Sequence, residues 1–264
     1  MENLCDLLFE LSNEDRLRIL HQLDKKAMNV TNLSKALGLT TQESSRHISR
    51  LGDVGLTQKD VDGSHHISPY GKLILKQLPG LEFTSQYRDY FTTHSLERLP
   101  PEFVSRIGEL ADSTYTGDVM AVFHNVETGM QEAEEHIWAI VDQYLMSTVP
   151  LARDALEREV KMKTIEPEDW VAPSEFYRIR VNAERQWTSQ ARKTGLLEDR
   201  VSERVEVFLY MSEKEVSALA FPTLDGKFDH LGFSATDERA HKWCRDLFQY
   251  YWEKAEPRRE IIFE

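Results

Sequence analysis

The chain has 264 residues, 41% of them hydrophobic, and a net charge of −13, a length that suits two domains better than one. Nine Tyr and twelve Phe exclude a disordered or fibrous chain, and no run approaches the roughly 18 apolar residues of a membrane helix. The opening residues, Met1 to Asp6, carry acids where a secretion signal carries bases, so a cytoplasmic protein without membrane association is expected.

Cys5 and Cys244 stand at opposite ends and form no Cys-x-x-Cys pair, so they read as reduced structural thiols. The charge is unevenly spread. Residues 1–78 carry ten bases and ten acids, and the remainder carries the whole −13. An acidic body repels phosphate, so any contact with nucleic acid is expected from the neutral first segment.

Leu4, Leu7, Leu8 and Leu11 recur at helical spacing, and Ser12-Asn13-Glu14-Asp15 caps a second helix carrying Leu17, Ile19, Leu20 and Leu23. Val30 to Leu37 is a short helix closed by Gly38. A third polar-faced helix opens at Thr40-Thr41, with Glu43 close behind, and stops near Gly55. Two short extended pieces, Leu56 to Lys59 and His65 to Ser68, flank an Asp62-Gly63 turn and predict a hairpin. Pro69 starts another helix, which Pro79-Gly80 is expected to end. This order is that of a winged helix-turn-helix over residues 1–79.

Residues 80–264 have a different texture. Gln86 to Leu110 reads as helix broken at Pro100-Pro101, Val119 to Phe123 as a buried strand, and Glu127 to Tyr144 as helix. Leu145 to Val149 and Val160 to Ile165 read as strands around a helix at Leu151 to Glu159, and Trp187 to Gly195 as helix. Arg204 to Met211, Ala218 to Phe221 and Phe228 to Phe233 read as strands, and Asp237 to Lys254 as a last amphipathic helix. The expected fold class is α+β: a winged helix-turn-helix followed by a C-terminal α/β sensor domain. The five tryptophans, Trp138, Trp170, Trp187, Trp243 and Trp252, read as core.

The polar helix carries the chemistry. At about 100° per residue, Ser44, Ile48 and Leu51 face inward, whereas Gln42, Arg46 and Arg50 lie opposite, flanked by Glu43 and Ser49. Arg donates two bonds to a guanine edge and Gln pairs with adenine. Thr41, Ser45 and Ser49 are placed to reach phosphates, aided by the helix dipole at the start. Lys59, His65 and His66 fall on the hairpin, where they would touch backbone or minor groove. Any solvated surface helix shows such a face. The short helix before it and the Asp-Gly hairpin after it favour double-stranded DNA as the partner.

Gln42 to Leu56, reading Q-E-S-S-R-H-I-S-R-L-G-D-V-G-L, resembles the recognition-helix-to-wing segment of ArsR-type winged helices, and Pro69-Tyr70-Gly71-Lys72 is similar to the helix start after their wing. Their Cys-Val-Cys metal pattern is absent, so no metal and no cofactor is expected. His94 to Phe103, Arg106 to Leu110 and Trp243 to Trp252 resemble the opening and closing of the FilR-type methanogenesis regulatory protein domain of archaeal regulators. That resemblance implies a sensor domain related to the TrmB effector fold and, more distantly, to phospholipase-D-like layers. It implies no enzyme, because no histidine stands in the His-x-Lys spacing of phospholipase chemistry; the nearest text is His241-Lys242-Trp243.

Ligands of open α/β sheets settle beyond strand carboxyl ends, which nominates His124, Asn125 and Thr148, with Arg178 and Arg180 to neutralise an anion. Loop polarity for His124 and Asn125, and a surface ion pair for the arginines, are the plainer readings of the same residues. The expected protein is a DNA-binding transcription regulator, a homodimer modulated by an unidentified small molecule or partner. The rival is a winged-helix protein-interaction module of the transcription machinery that reads no bases.

Overall fold

The computed structural model describes residues 1–143, 145–168 and 188–258, which fall into two compact units, Met1–Leu81 and Glu82–Glu264. The architecture is α+β. The first unit holds α1 (Glu2–Leu11), α2 (Glu14–Lys25), α3 (Val30–Leu37), α4 (Thr41–Asp53), β1 (Thr57–Lys59), β2 (His65–Ile67) and the start of α5 (Pro69–Gln86).

Short polar side chains start its helices. Asn13 accepts from the Arg16 amide at 3.1 Å and Asn29 from the Asn32 amide at 2.9 Å, satisfying donors that the first turn leaves open. Gly38 ends α3 in the left-handed region at φ +70°, so the chain turns sharply into α4. Leu20, Leu33, Leu51 and Leu56 are fully buried at the centre of this unit.

β1 and β2 pair antiparallel, with Thr57 opposite Ile67 and Lys59 opposite His65. Gly63 takes φ +85° in the turn, and Asp62 accepts from the Ser64 amide at 2.9 Å. Gly71, in the first turn of α5, lies against β1: an added Cβ would stand 2.3 Å from the Leu56 carbonyl oxygen and 2.7 Å from the Ile67 side chain.

α5 does not end at Pro79-Gly80 as the sequence suggests, but runs on to Gln86. Proline removes one backbone donor, while the residues from Glu82 on belong to the second unit, where Phe83 is buried against Tyr87 and Phe233.

The second unit is a three-layer sandwich. It holds α6 (Arg88–Phe91), α7 (Pro101–Ser105), a 3-10 turn (Ile107–Leu110), β3 (Thr114–Thr116), α8 (Val119–Glu132), β4 (His136–Ile140) and α9 (Thr148–Glu157). β5 (Lys161–Pro167) follows, then the described part of α10, residues 188–193, and β6 (Leu197–Ser202). The chain continues through β7 (Phe208–Ser212), β8 (Val216–Ala220), β9 (Gly232–Ala235), α11 (Glu238–Lys254) and β10 (Glu256–Pro257).

One mixed sheet runs in the order β10-β6-β5-β4-β7-β8-β9-β3, with β4, β5 and β6 mutually parallel and the other pairings antiparallel. Along β7, Phe208 and Tyr210 face α8 and α9, whereas Leu209 and Met211 face α11. Both sides are covered, so every residue of β7 and β8 is buried. Trp243 of α11 is fully buried and donates to the Phe103 carbonyl at 3.2 Å, which ties the motif Pro100–Phe103 to the closing helix. Trp138 and Trp252 are partly buried in the same core.

Several assignments in this half change: Gln86 to Leu110 holds only short helical pieces at 88–91, 101–105 and 107–110, and the strand expected over Phe228 to Phe233 is Gly232–Ala235. Val119 to Phe123 is the start of α8, because Asp118 caps it by accepting from the Met120 and Ala121 amides at 2.8 and 3.2 Å. Val122, Val126 and Met130 then bury one face at a four-residue period, while Met120 is 74% exposed. Within Glu127 to Tyr144 the helix stops at Glu132 and β4 follows. Leu145 to Val149 is a turn and the first two residues of α9 rather than a strand.

Gly71→Ala is expected to destabilise the first unit by about 1–3 kcal/mol, the ordinary range for forcing extra atoms into packed space. Urea unfolding followed by far-ultraviolet circular dichroism measures this. A wild-type midpoint would show that α5 does not need its close approach to β1.

Candidate nucleic-acid interface

α4 is fixed from both ends. At its start Thr40 accepts from the Glu43 amide at 3.2 Å, and the Glu43 carboxylate accepts from the Thr40 amide at 2.9 Å. This reciprocal cap occupies Glu43 and lowers its pKa through the hydrogen bonds from Thr40, so the carboxylate stays ionised against the positive helix end. Ser44, His47, Ile48 and Leu51 are buried beneath. Burying that side forces Thr41, Gln42, Ser45, Arg46 and Ser49 outward, and all five are exposed.

With Arg50 these residues line one open depression along the helix. Gln42, Arg46 and Ser49 have no hydrogen bond or ion pair to another side chain among the described residues. Arg46 therefore offers all five of its donors.

Arg50 is placed differently from the free side chain expected. Its Nε and Nη2 donate to the two carboxylate oxygens of Glu10 at 3.0 and 2.7 Å, and its guanidinium lies 5.1 Å from the centre of the Phe9 ring. It is half-buried rather than extended.

On the hairpin Lys59 is exposed, and His65 and His66 are half-buried. His66 Nδ1 stands 3.2 Å from an Asp60 carboxylate oxygen. His65 shares a backbone bridge with Met28, so its ring is held near α2 and its pKa is lowered, first by burial and then by Lys59. At the tip Val61 is fully exposed. The structure thus brings the six α4 residues together on one face, with Lys59 alone of the hairpin candidates projecting freely.

The ligand candidates are not gathered at one place. His124 and Asn125 sit inside α8 rather than after a strand, yet they line a polar groove of about 320 Å³ with Thr128, Glu215, Ser217 and Ser234. Gly129 lies over its floor: an added Cβ would stand 1.9 Å from Ser217 Oγ. Thr148 lines no part of it. It is buried as the first residue of α9, and its hydroxyl donates to the Leu145 carbonyl at 2.8 Å. Arg178 and Arg180, like Trp170 and Trp187, lie outside the described residues.

The sequence reading missed the remaining groove residues and the partnership of Glu10 with Arg50, since both join segments far apart in the chain. Among the described residues no cluster of three or more His, Cys, Asp or Glu is placed to hold a metal ion, and no helix is long and apolar enough to cross a membrane.

The sequence profile of the family described as methanogenesis regulatory protein FilR1, middle domain, matches residues 120–254, just over half of the 264. No curated protein matches the chain. Among solved structures, TrmBL2, an archaeal chromatin protein described as showing a novel mode of DNA binding, is 14% identical with a TM-score of 0.43, over 92% of this chain and 94% of its own. Nuc of Salmonella typhimurium, a phospholipase D family member, is 13% identical with a TM-score of 0.36, over 56% of this chain and 97% of its own. At these values the chemistry of neither protein carries over.

The underside of α4 is also sensitive to pH. His47 is 7% exposed and its Nδ1 is buried without a hydrogen-bond partner. Burial lowers its pKa from 6.5, helped by the nearby Arg16 and Arg46 charges. Between that lowered value and 6.5 the unfolded chain binds more protons than the folded one. The stability this group contributes is therefore complete above about pH 6.5 and is lost as pH falls through the folded value. His65 and His136 are lowered by burial in the same sense. Circular-dichroism urea titrations between about pH 7.5 and 5 should show falling stability, less steeply in His47→Gln. A flat profile in the wild type would contradict this.

Proposed function

Because the chain belongs to the family of the methanogenesis regulatory protein FilR1 middle domain, we propose that it is a transcription regulator that reads double-stranded DNA with α4 and steadies itself with the β1–β2 wing. The observation that carries this reading is the exposed row Gln42, Arg46 and Ser49 on a capped helix whose opposite side is buried. Arg46 and Gln42 have the donor pattern for purine edges in the major groove. Thr41, Ser45 and Lys59 suit phosphates, and His65 and His66 stiffen the wing beside Lys59. The neutral charge of residues 1–78 against the acidic remainder supports docking by the first unit alone.

Two copies would present two α4 helices to half-sites about one turn, roughly 10 bp, apart. Leu4 and Leu8 of α1 and Leu73 of α5, each about half exposed, offer apolar surface for that pairing. The groove holding His124 and Asn125 is the proposed seat of a small polar effector that would shift the dimer between matched and mismatched spacing. Its hydroxyls and carboxylates favour ligands rich in hydrogen-bonding groups. No catalysis is assigned. Native mass spectrometry of the full chain, before and after Asn125→Leu, tests the groove: a co-purified small molecule in the wild type, lost in the variant, is the expected result.

Arg46→Ala should cost roughly 1–3 kcal/mol on the preferred duplex and relax base preference. Lys59→Ala should weaken all duplexes alike and reduce the salt slope by about one. Gel shifts across several sequences and salt concentrations check both. Equal, sequence-blind losses would overturn base reading by Arg46. An affinity independent of salt would favour the rival protein-docking role.

A further inference from the structure

A buried ion cluster behind α4 has a geometry that bears on which bases the helix selects. Glu10, the penultimate residue of α1, is 7% exposed and Arg16 of α2 is 5% exposed. Arg16 Nη2 donates to the Phe9 carbonyl at 2.7 Å and its Nε to the Glu10 carbonyl at 2.5 Å, and Nε also stands 3.1 Å from Glu10 Oε2. The last turn of α1 is thereby tied to α2, with the Glu10 carboxylate beside Arg16 and facing Arg50.

Arg50 meets that carboxylate side-on. A guanidinium has five N–H donors in a planar fork, and the Nε–Nη2 edge is the one Glu10 takes. Both protons of Nη1 and the outer proton of Nη2 remain. That end-on edge donates two parallel bonds, the pattern that fits guanine O6 and N7. The Phe9 ring beneath the guanidinium limits tilting, and the Arg50 side chain keeps 39% of its exposure. Glu10 faces two arginines and Asp53 also acts on Arg50, so the free edge of Arg50 offers directed donors rather than an excess of charge.

We infer that Glu10 is a positioning residue that aims the free edge of Arg50 at a base, making Arg50 a second determinant of sequence preference beside Arg46. This rests on the DNA-reading role proposed above. An arginine without a partner, such as Arg46, must be ordered as it binds, whereas one locked by a carboxylate presents its fork in a single direction before DNA arrives. Ordering the side chain is then part of folding and not of binding. Glu10 touches no base in this account, and its effect is expressed through Arg50.

The test uses the full chain and a duplex pool with a randomised core, from which wild-type, Glu10→Gln, Glu10→Asp and Arg50→Lys proteins each select sequences, followed by salt titrations on the selected duplexes. Lysine keeps the charge of Arg50 without a two-donor edge, and at this half-exposed position it keeps the variant folded even if Glu10→Gln does not fold. Arg50→Lys and Glu10→Gln should lose preference at the same base pair, by roughly 5- to 150-fold, with the wild-type salt slope retained for Arg50→Lys and Arg46-dependent positions unchanged. Glu10→Asp should restore part of the loss. Unaltered selection by Arg50→Lys would overturn the inference. So would a Glu10→Gln protein that binds every duplex more tightly with a steeper salt slope, since Glu10 would then be sequestering Arg50 rather than aiming it. A wild-type protein that enriches no sequence would remove the DNA-reading role itself, an outcome distinct from failure at Arg50 alone.

Discussion

The first unit depends on burying one side of α4, where Ser44 and Leu51 are fully buried and Ile48 is 3% exposed, while the cap at Thr40 and Glu43 holds the helix start in register. A helix pinned along one face has no freedom to rotate about its axis, so the identity of its outward residues follows from the identity of its inward ones. Gln42, Arg46 and Ser49 are exposed for that reason. The same packing holds the hairpin, because Leu56 and Ile67 of the wing belong to the core that receives Ile48 and Leu51. The outward face of α4 and the hairpin are thus two surfaces of one small core.

Charge distribution is the second constraint. The acidic excess lies wholly after residue 78, so the long-range field of the second unit opposes approach of a polyanion. Under the proposed reading, this helps specificity: binding that relied on charge alone would be weak, and the direct contacts of a few side chains would decide between sequences. In the second unit the sheet is covered by helices on both sides. Its central strands are buried on both faces, and its two helical layers are anchored by Trp243 on one side and by Val126, fully buried in α8, on the other.

The first unit was legible in the sequence because each of its elements carries its own punctuation. Asn13, Thr40, Gly38 and the Asp62-Gly63 turn stand where the structure uses them, while the Asn29 cap went unread. The second unit was harder for a physical reason. In a sheet covered on both sides, apolar residues need not alternate, so β7 and β8 look like any apolar run, and so does Val119 to Phe123, which is helix. There the deciding residue was Asp118, whose carboxylate caps the helix. The extension of α5 past Pro79 was missed because a proline usually ends a helix, and nothing near it in the chain announces that Phe83 is buried in the second core. Arg50 was read as outward-facing from its angle on α4. The angle was sound, but its tether, Glu10, lies forty residues earlier, and no local pattern announces it.

The central claim is that DNA lies along the outward face of α4. Photo-crosslinking to a duplex carrying 5-iododeoxyuridine, followed by mass-spectrometric mapping on the full chain, tests it most directly. The account predicts adducts within residues 41–50 and on the hairpin around Lys59, and none in the sheet unit. Adducts concentrated on the acidic second unit, with α4 untouched, would contradict it.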